Sequence, residues 1–370
     1  MWPNSKLIDL LEIQHPIVQA PMGGESTPAM AIAVGNAGGL GGLGCSYMSN
    51  EELIAKVEQI RAGTSAPINL NFFAHPEPET DAEVIAAARE LVAPYYQELG
   101  IDNLPDEVLA PCPSFDESRL EALRQLRPRV VSFHFGLPRL KMVRKLQDAG
   151  CLVACSATTV AEARWLNQTG IDIIIAQGWE AGGHRGTFQV SREDFGIGSM
   201  ALIPQIVDAV NLPVIAAGGI GDGRGIAAAL ILGASAVQLG SAFLSCPEAN
   251  ISNAWRSAMK STSDDATRLT RAFSGRPARA MKNRYTEAMA QTQAKLPDYP
   301  TMYGFSDPLS QAGTDSATPG FECYLWGQAA ALNRELSSAG LMELLISEAQ
   351  TALRSASGDS TEAEGDDAGA

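Results

Sequence analysis

PVIAAGGIGDGRGIAAALILGASAVQLGSAF (213–243) reads as a strand, a helix closing on glycine, and a second strand. A helix between two strands makes a crossover, so the strands run parallel. The same unit recurs upstream. Strand-like runs lie at IVQAPM (17–22), GLGGLG (39–44), PINLNFF (67–73), RVVSFHFG (129–136), CLVACSA (151–157) and IDIIIAQG (171–178). The segments SNEELIAKVEQIRAG, PRLKMVRKLQDAG and TTVAEARWLNQTG between them have helical periodicity, and each ends at a Gly able to cap a helix.

With the two quoted runs this makes eight strands alternating with helices, which points to a closed (β/α)8 TIM barrel of the α/β class. A barrel needs about 250 residues, so a chain of 370 leaves room for an appendage. An open doubly wound sheet would carry G-x-G-x-x-G after its first strand and an acid beyond it; that fingerprint is absent. Two segments interrupt the pattern: the Pro-rich, partly helical 74–128, and 246–317 after the eighth strand. The expected division is a barrel of 1–245 and 318–355, a small helical cap or substrate domain at 246–317, and a disordered acidic tail at 356–370. The helical pattern is read as running from FECYLWGQAAAL through to AQTAL, returning the chain to the barrel.

Hydrophobic residues make up 45% of the chain and charged residues 19%, the profile of a folded enzyme rather than a disordered one. The net charge of −15 repels a phosphate backbone, which argues against nucleic acid as a partner. Asp9 and Glu12 break the apolar run that a signal peptide needs, and the stretch from Ile226 falls short of the ~18 apolar residues of a membrane span. A cytoplasmic location away from membranes is expected. The six cysteines form no C-x-x-C pair, and the four histidines are not interleaved with them, so no metal site is expected.

In a barrel of this kind chemistry gathers where strands end. The seventh and eighth strand ends place Gly218, Gly219, Gly240 and Ser241 where backbone N–H groups can approach a phosphate, although such glycines also serve tight turns. Asn71 and Gln177 can pair with the edge of a flat heterocycle, or be satisfied buried amides. His184 sits in GGHRG, a run read as too irregular for helix or strand, which frees its ring for a cleft; Arg185 beside it reads as a surface charge. His134, on the fourth strand, also reads as a hydrogen-bonded core residue.

APMGG (20–24), NAGGLGGLG (36–44), QGWEAGGHRG (177–186), AAGGIGDGRG (216–225), VQLGSAFL (237–244) and LWGQAAAL (325–332), taken in order, resemble the nitronate monooxygenases, formerly called 2-nitropropane dioxygenases, in their bacterial class I branch. The resemblance implies non-covalent FMN, lined by Ala20, Pro21, Met22 and Gly23. Asn71, Gln177 and Gly182 would hold its ring or ribityl chain, and Gly219, Gln238, Leu239, Gly240 and Ser241 its phosphate. It implies His184 as the active-site histidine, His134 as a second pocket histidine, and, by analogy with cap aromatics, Tyr299 and Tyr303 beside the substrate. The implied reaction oxidises alkyl nitronates, propionate 3-nitronate among them, with O2 through a flavin semiquinone to a carbonyl product and nitrite, in a monomer or homodimer. The alternative is an FMN-dependent NAD(P)H reductase of the enoyl-acyl-carrier-protein or quinone type.

Overall fold

A computed structural model describes residues 2–79, 81–105, 112–189, 196–315 and 319–358. Its strands in chain order are β1 (Ile17–Gln19), β2 (Gly41–Gly44), β3 (Ile68–Phe73), β4 (Val130–His134), β5 (Leu152–Ala157), β6 (Ile173–Gln177), β7 (Gly183–His184), β8 (Val214–Ala217), β9 (Ala236–Leu239), β10 (Thr267–Thr270) and β11 (Ala278–Met281). All but β7, β10 and β11 form one eight-stranded parallel sheet in the order β1-β9-β8-β6-β5-β4-β3-β2. The sheet curls until β1 meets β2: the Val18–Leu40 and Gly23–Gly44 bridges join its two edges into a TIM barrel.

Inward-facing residues such as Val18, Leu40, Ile173, Ile175 and Ile215 fill the barrel, and Leu7 and Leu11 of the short helix Lys6–Leu11 pack onto the same cluster. Outward-facing residues pack beneath the crossover helices. Ser49, Asp81, Thr159 and Asp222 cap four of the helices by accepting backbone N–H groups. The last helix, Ser338–Ser357, lies so close to Gly223 that a Cβ there would meet the Glu348 Cβ at 2.2 Å. Only glycine allows that approach.

Residues 246–317 contain the helices Asn253–Lys260, Arg284–Ala290 and Tyr303–Asp315. They also contain the β10–β11 hairpin, which the sequence reading missed. The helix Ala82–Glu98, from the 74–128 interruption, packs against Tyr303–Asp315 through Ala88, Val92, Tyr96, Phe305 and Leu309. The helix expected to begin near 321 starts only at Ser338, capped by Ser337; the preceding stretch is irregular apart from the 3-10 turn Gln328–Leu332. Of the expected acidic tail, 359–370 lies outside the described residues, while 356 and 357 still belong to the last helix. Among the described residues no helix is long and apolar enough to cross a membrane.

Candidate active site

The carboxyl ends of the barrel strands converge on a cavity of about 410 Å³. Ala20, Pro21, Met22 and Gly23 line it after β1, Asn71 from β3, Gln177 from β6, Gly182 from the following loop, and Gly219 after β8. Gln238 on β9, with Gly240 and Ser241 just beyond, completes that wall. Leu239 is the exception among the residues expected here. Side chains alternate along a strand, so Gln238 enters the cavity and Leu239 packs in the cluster that holds Ile17 and Phe243.

His184 does not sit in an irregular loop, as its glycine neighbours suggested. Gly183 and His184 form β7, paired antiparallel with Ala278 and Arg279 of β11. The partner strand comes from the distant hairpin, so no local pattern could announce it. Pairing fixes the backbone, and the His184 Nε2 then lies 2.9 Å from the Ser274 Oγ. Burial pushes the His184 pKa down to about 3, with His134 and Arg276 adding to the shift. The ring is therefore neutral. His134 lines the same cavity; burial takes its pKa down to about 4, opposed by its hydrogen bond to the His184 carbonyl.

Asn71 Nδ2 donates to the Ser132 carbonyl at 3.2 Å and to its hydroxyl at 3.0 Å. The Gln177 amide holds the segment that carries His184 and keeps one Nε2 hydrogen for another partner. Its Nε2 donates to the His184 carbonyl at 3.0 Å, and its Oε1 accepts the Gly186 N–H at 2.8 Å. Arg185 is no surface charge: at 1% exposure it donates to the Gln177 and Gly178 carbonyls at 3.2 and 2.7 Å, with its guanidinium 5.5 Å from the Trp179 ring. It ties the end of β6 to β7, which carries His184.

The hairpin and the last part of 246–317 form the facing wall. Tyr303 lines the cavity with its ring 6.1 Å from that of His184. Tyr299 is buried 5.4 Å from the same ring and shares a 3.4 Å hydroxyl contact with Tyr47. Phe135, at φ 71°, packs against Phe73, Tyr299 and His184, and the Arg276 guanidinium lies 4.0 Å above it. Sequence reasoning gave no role to Tyr47, Ser274 or Arg276. The last two lie in the basic stretch RAFSGRPARAMKNRY (271–285), which carries no recognisable local pattern for a pocket wall.

Two features of the wall suit a bound polar group. The Gln238 Oε1 is buried and has no hydrogen-bond partner, and such an atom calls for a donor from a ligand. A Cβ on Gly240 would meet only Ala20 Cβ at 3.6 Å and Met22 Sδ at 3.9 Å, so a longer side chain would extend into space the cavity keeps open. Among the described residues no group of three or more His, Cys, Asp or Glu side chains could hold a metal ion.

The family model for nitronate monooxygenase matches residues 4–348. A nitronate monooxygenase of Pseudomonas aeruginosa is 44% identical over 342 residues, 92% of this chain and 97% of that one. Among solved structures, nitroalkane oxidase from Streptomyces ansochromogenes is 37% identical with a TM-score of 0.85, covering 95% of this chain and 99% of that one. FabK from Thermotoga maritima is less similar, at 26% identity and a TM-score of 0.70 over 96% of this chain and 98% of that one. The relatives agree with the barrel fold, and this chain is an oxidoreductase belonging to the nitronate monooxygenase family.

Proposed function

We propose that the chain binds FMN and oxidises alkyl nitronates with O2 to a carbonyl product and nitrite. The observation that carries this reading is a neutral His184 lining a cavity whose wall also offers the unpaired Gln238 Oε1 and the open space beside Gly240. Gly219, Gly240 and Ser241 are the residues assigned to the phosphate, Ala20 to Gly23 to the ring face, and Asn71, Gln177 and Gly182 to the ring edge and ribityl chain. Gln238, which the resemblance gives to the phosphate, joins the last set because its unpaired Oε1 is an acceptor and suits a donor of the ring or ribityl chain. Bound there, FMN would take electrons from the electron-rich nitronate and pass them to O2.

The protein's own contribution is binding and orientation. His184 offers a ring nitrogen to the nitronate oxygens, and His134 with Gln177 holds the backbone that carries it. Tyr299, Tyr303, Phe73 and Phe135 enclose that ring and keep water from it. Residues 246–317 act as a cap that completes the pocket, with the helix Ala82–Glu98 bracing it from behind. A base is not required for a substrate that arrives already as the anion. Propionate 3-nitronate, the compound the resemblance names, carries a second negative charge, and that charge meets an acidic wall considered below.

The test uses the purified protein. It should release FMN on denaturation, consume O2 and form nitrite when given an alkyl nitronate. NADH and NADPH should not reduce the flavin under nitrogen at a useful rate. Rapid reduction by either, with no nitrite from nitronates, would make the chain a reductase instead.

A further inference from the structure

Three carboxylates, Glu25, Glu180 and Asp307, line the cavity that holds His184, and among the described residues no Lys or Arg does. Glu180 is engaged within the protein, accepting the Ser199 N–H at 2.9 Å and its hydroxyl at 3.0 Å. Asp307 is different. It opens to the cavity, and burial is the sole influence on its ionisation, pushing it up to about 6. It is thus largely charged at neutral pH, and among the described residues no Lys or Arg lines the cavity beside it.

Its position relative to His184 follows from the helix that carries it. Tyr303 and Asp307 are four residues apart on Tyr303–Asp315, so both project from one face. Tyr303 touches the His184 side of the cavity, its ring 6.1 Å away. Asp307 comes one turn, about 6 Å, further along. His184, Tyr303 and Asp307 line one cavity, so the tail of a nitronate held beside His184 can extend to the Asp307 carboxylate. Glu25 and Cys323 line the same end and add no positive charge.

Resting on the nitronate-oxidising reading above, we propose that Asp307 selects substrates by the charge at the end of their tail: nitronates ending in an ammonium, hydroxyl or alkyl group are taken in preference to those ending in a carboxylate. The negative charge at His184 has the Arg276 guanidinium near it, behind Phe135, whereas among the described residues no Lys or Arg lines the cavity at the Asp307 end. A second negative charge, placed within about 6 Å of Asp307 at an effective dielectric near ~20, would weaken binding by ~10–100-fold.

The holoenzyme is assayed for nitrite release with three nitronates of similar length: propionate 3-nitronate, butane 1-nitronate and 3-aminopropane 1-nitronate. Wild-type kcat/KM is expected to be lower for the carboxylate by at least about tenfold, chiefly through KM. Asp307→Asn is expected to close most of that gap, and Asp307→Lys to reverse it while losing the amino substrate. Equal wild-type use of the carboxylate and alkyl compounds overturns the proposal, whether or not either variant folds. So does a wild-type preference that both folded variants retain. Nitrite from butane 1-nitronate without discrimination leaves the nitronate reading standing and removes only the role of Asp307; no nitrite from any of the three removes both.

Discussion

The Nε2 nitrogen of His134 lies 3.0 Å from the carbonyl oxygen of His184. A carbonyl only accepts, so this nitrogen carries a hydrogen, and in the neutral ring Nδ1 takes the Ser156 hydroxyl 2.9 Å away. Gln177 Nε2 donates to the same carbonyl from 3.0 Å. The backbone of His184 is thus held by two side chains from β4 and β6, the strands on either side of β5, and its ring is aimed by that backbone. His134 acts here as a positioning residue for His184.

Replacing His134 by Leu should accordingly lower kcat on nitronates by ~10–100-fold, the cost of a slightly misplaced reacting group, while flavin content stays near wild type. His134→Gln can restore a donor to the carbonyl and should recover part of the loss. A leucine variant with unchanged kcat would separate His134 from the geometry of His184.

The two buried rings also set the response to acid. In the unfolded chain each takes a proton near pH 6.5, whereas folding lowers the two values to about 4 and about 3. Below about pH 6.5 the unfolded state therefore binds protons that the folded state refuses, and stability is lost as pH falls from there toward about 4. Melting temperature should drop between about pH 7 and about pH 5, and His134→Gln should flatten that drop by removing one of the two groups. An unchanged slope in the variant would show that carboxylates alone govern it.

Gly240 offers a test of the cofactor assignment that needs no substrate. Its missing side chain leaves space bounded by Ala20 Cβ at 3.6 Å and Met22 Sδ at 3.9 Å, so Gly240→Val can be accommodated by the protein alone. The valine would project toward the place given to the phosphate. The variant should fold and yet purify with markedly less flavin, read from absorbance and mass analysis of the released cofactor. Full FMN occupancy would move the phosphate away from β9.

The barrel was legible because its signals are local: each strand is a short run, and most of the following helices end at or near a glycine. So were most residues of the cavity's inner wall, since strand ends converge in any such barrel. What escaped depends on pairing across distance. GGHRG looks irregular because its ordering partner is the β10–β11 hairpin, contributed by a segment with its own weak local pattern. Arg185 looks like a solvated charge because nothing nearby in sequence reveals the Gln177 and Gly178 carbonyls that receive it. Leu239 fails for a simpler reason, the alternation of faces along β9, which a four-residue window hides.

The last expectation concerns what His184 does to its substrate. Ser274 Oγ accepts the Arg276 N–H at 3.2 Å, and its own hydrogen can go to His184 Nε2 at 2.9 Å or to the Arg276 carbonyl at 3.1 Å. When it goes to His184, the ring keeps its hydrogen on Nδ1 and can donate it to a nitronate oxygen. Binding an anion favours that arrangement. Removing a proton from a neutral nitroalkane asks the opposite of the ring: it must become a cation, which burial opposes by lowering its pKa to about 3. Nitronates should therefore be much better substrates than the corresponding nitroalkanes. His184→Asn keeps a donor but not its placement, and should lower kcat/KM for nitronates by ~10–100-fold, the worth of a hydrogen bond to a charged group. The slow reaction of nitroalkanes should fall by a similar factor. A loss confined to nitroalkanes, of the ~10²–10⁴ that general-base catalysis supplies, would instead make His184 the base. Oxygen uptake with each ionic form of one compound, supplied freshly so that the two do not interconvert, separates these outcomes.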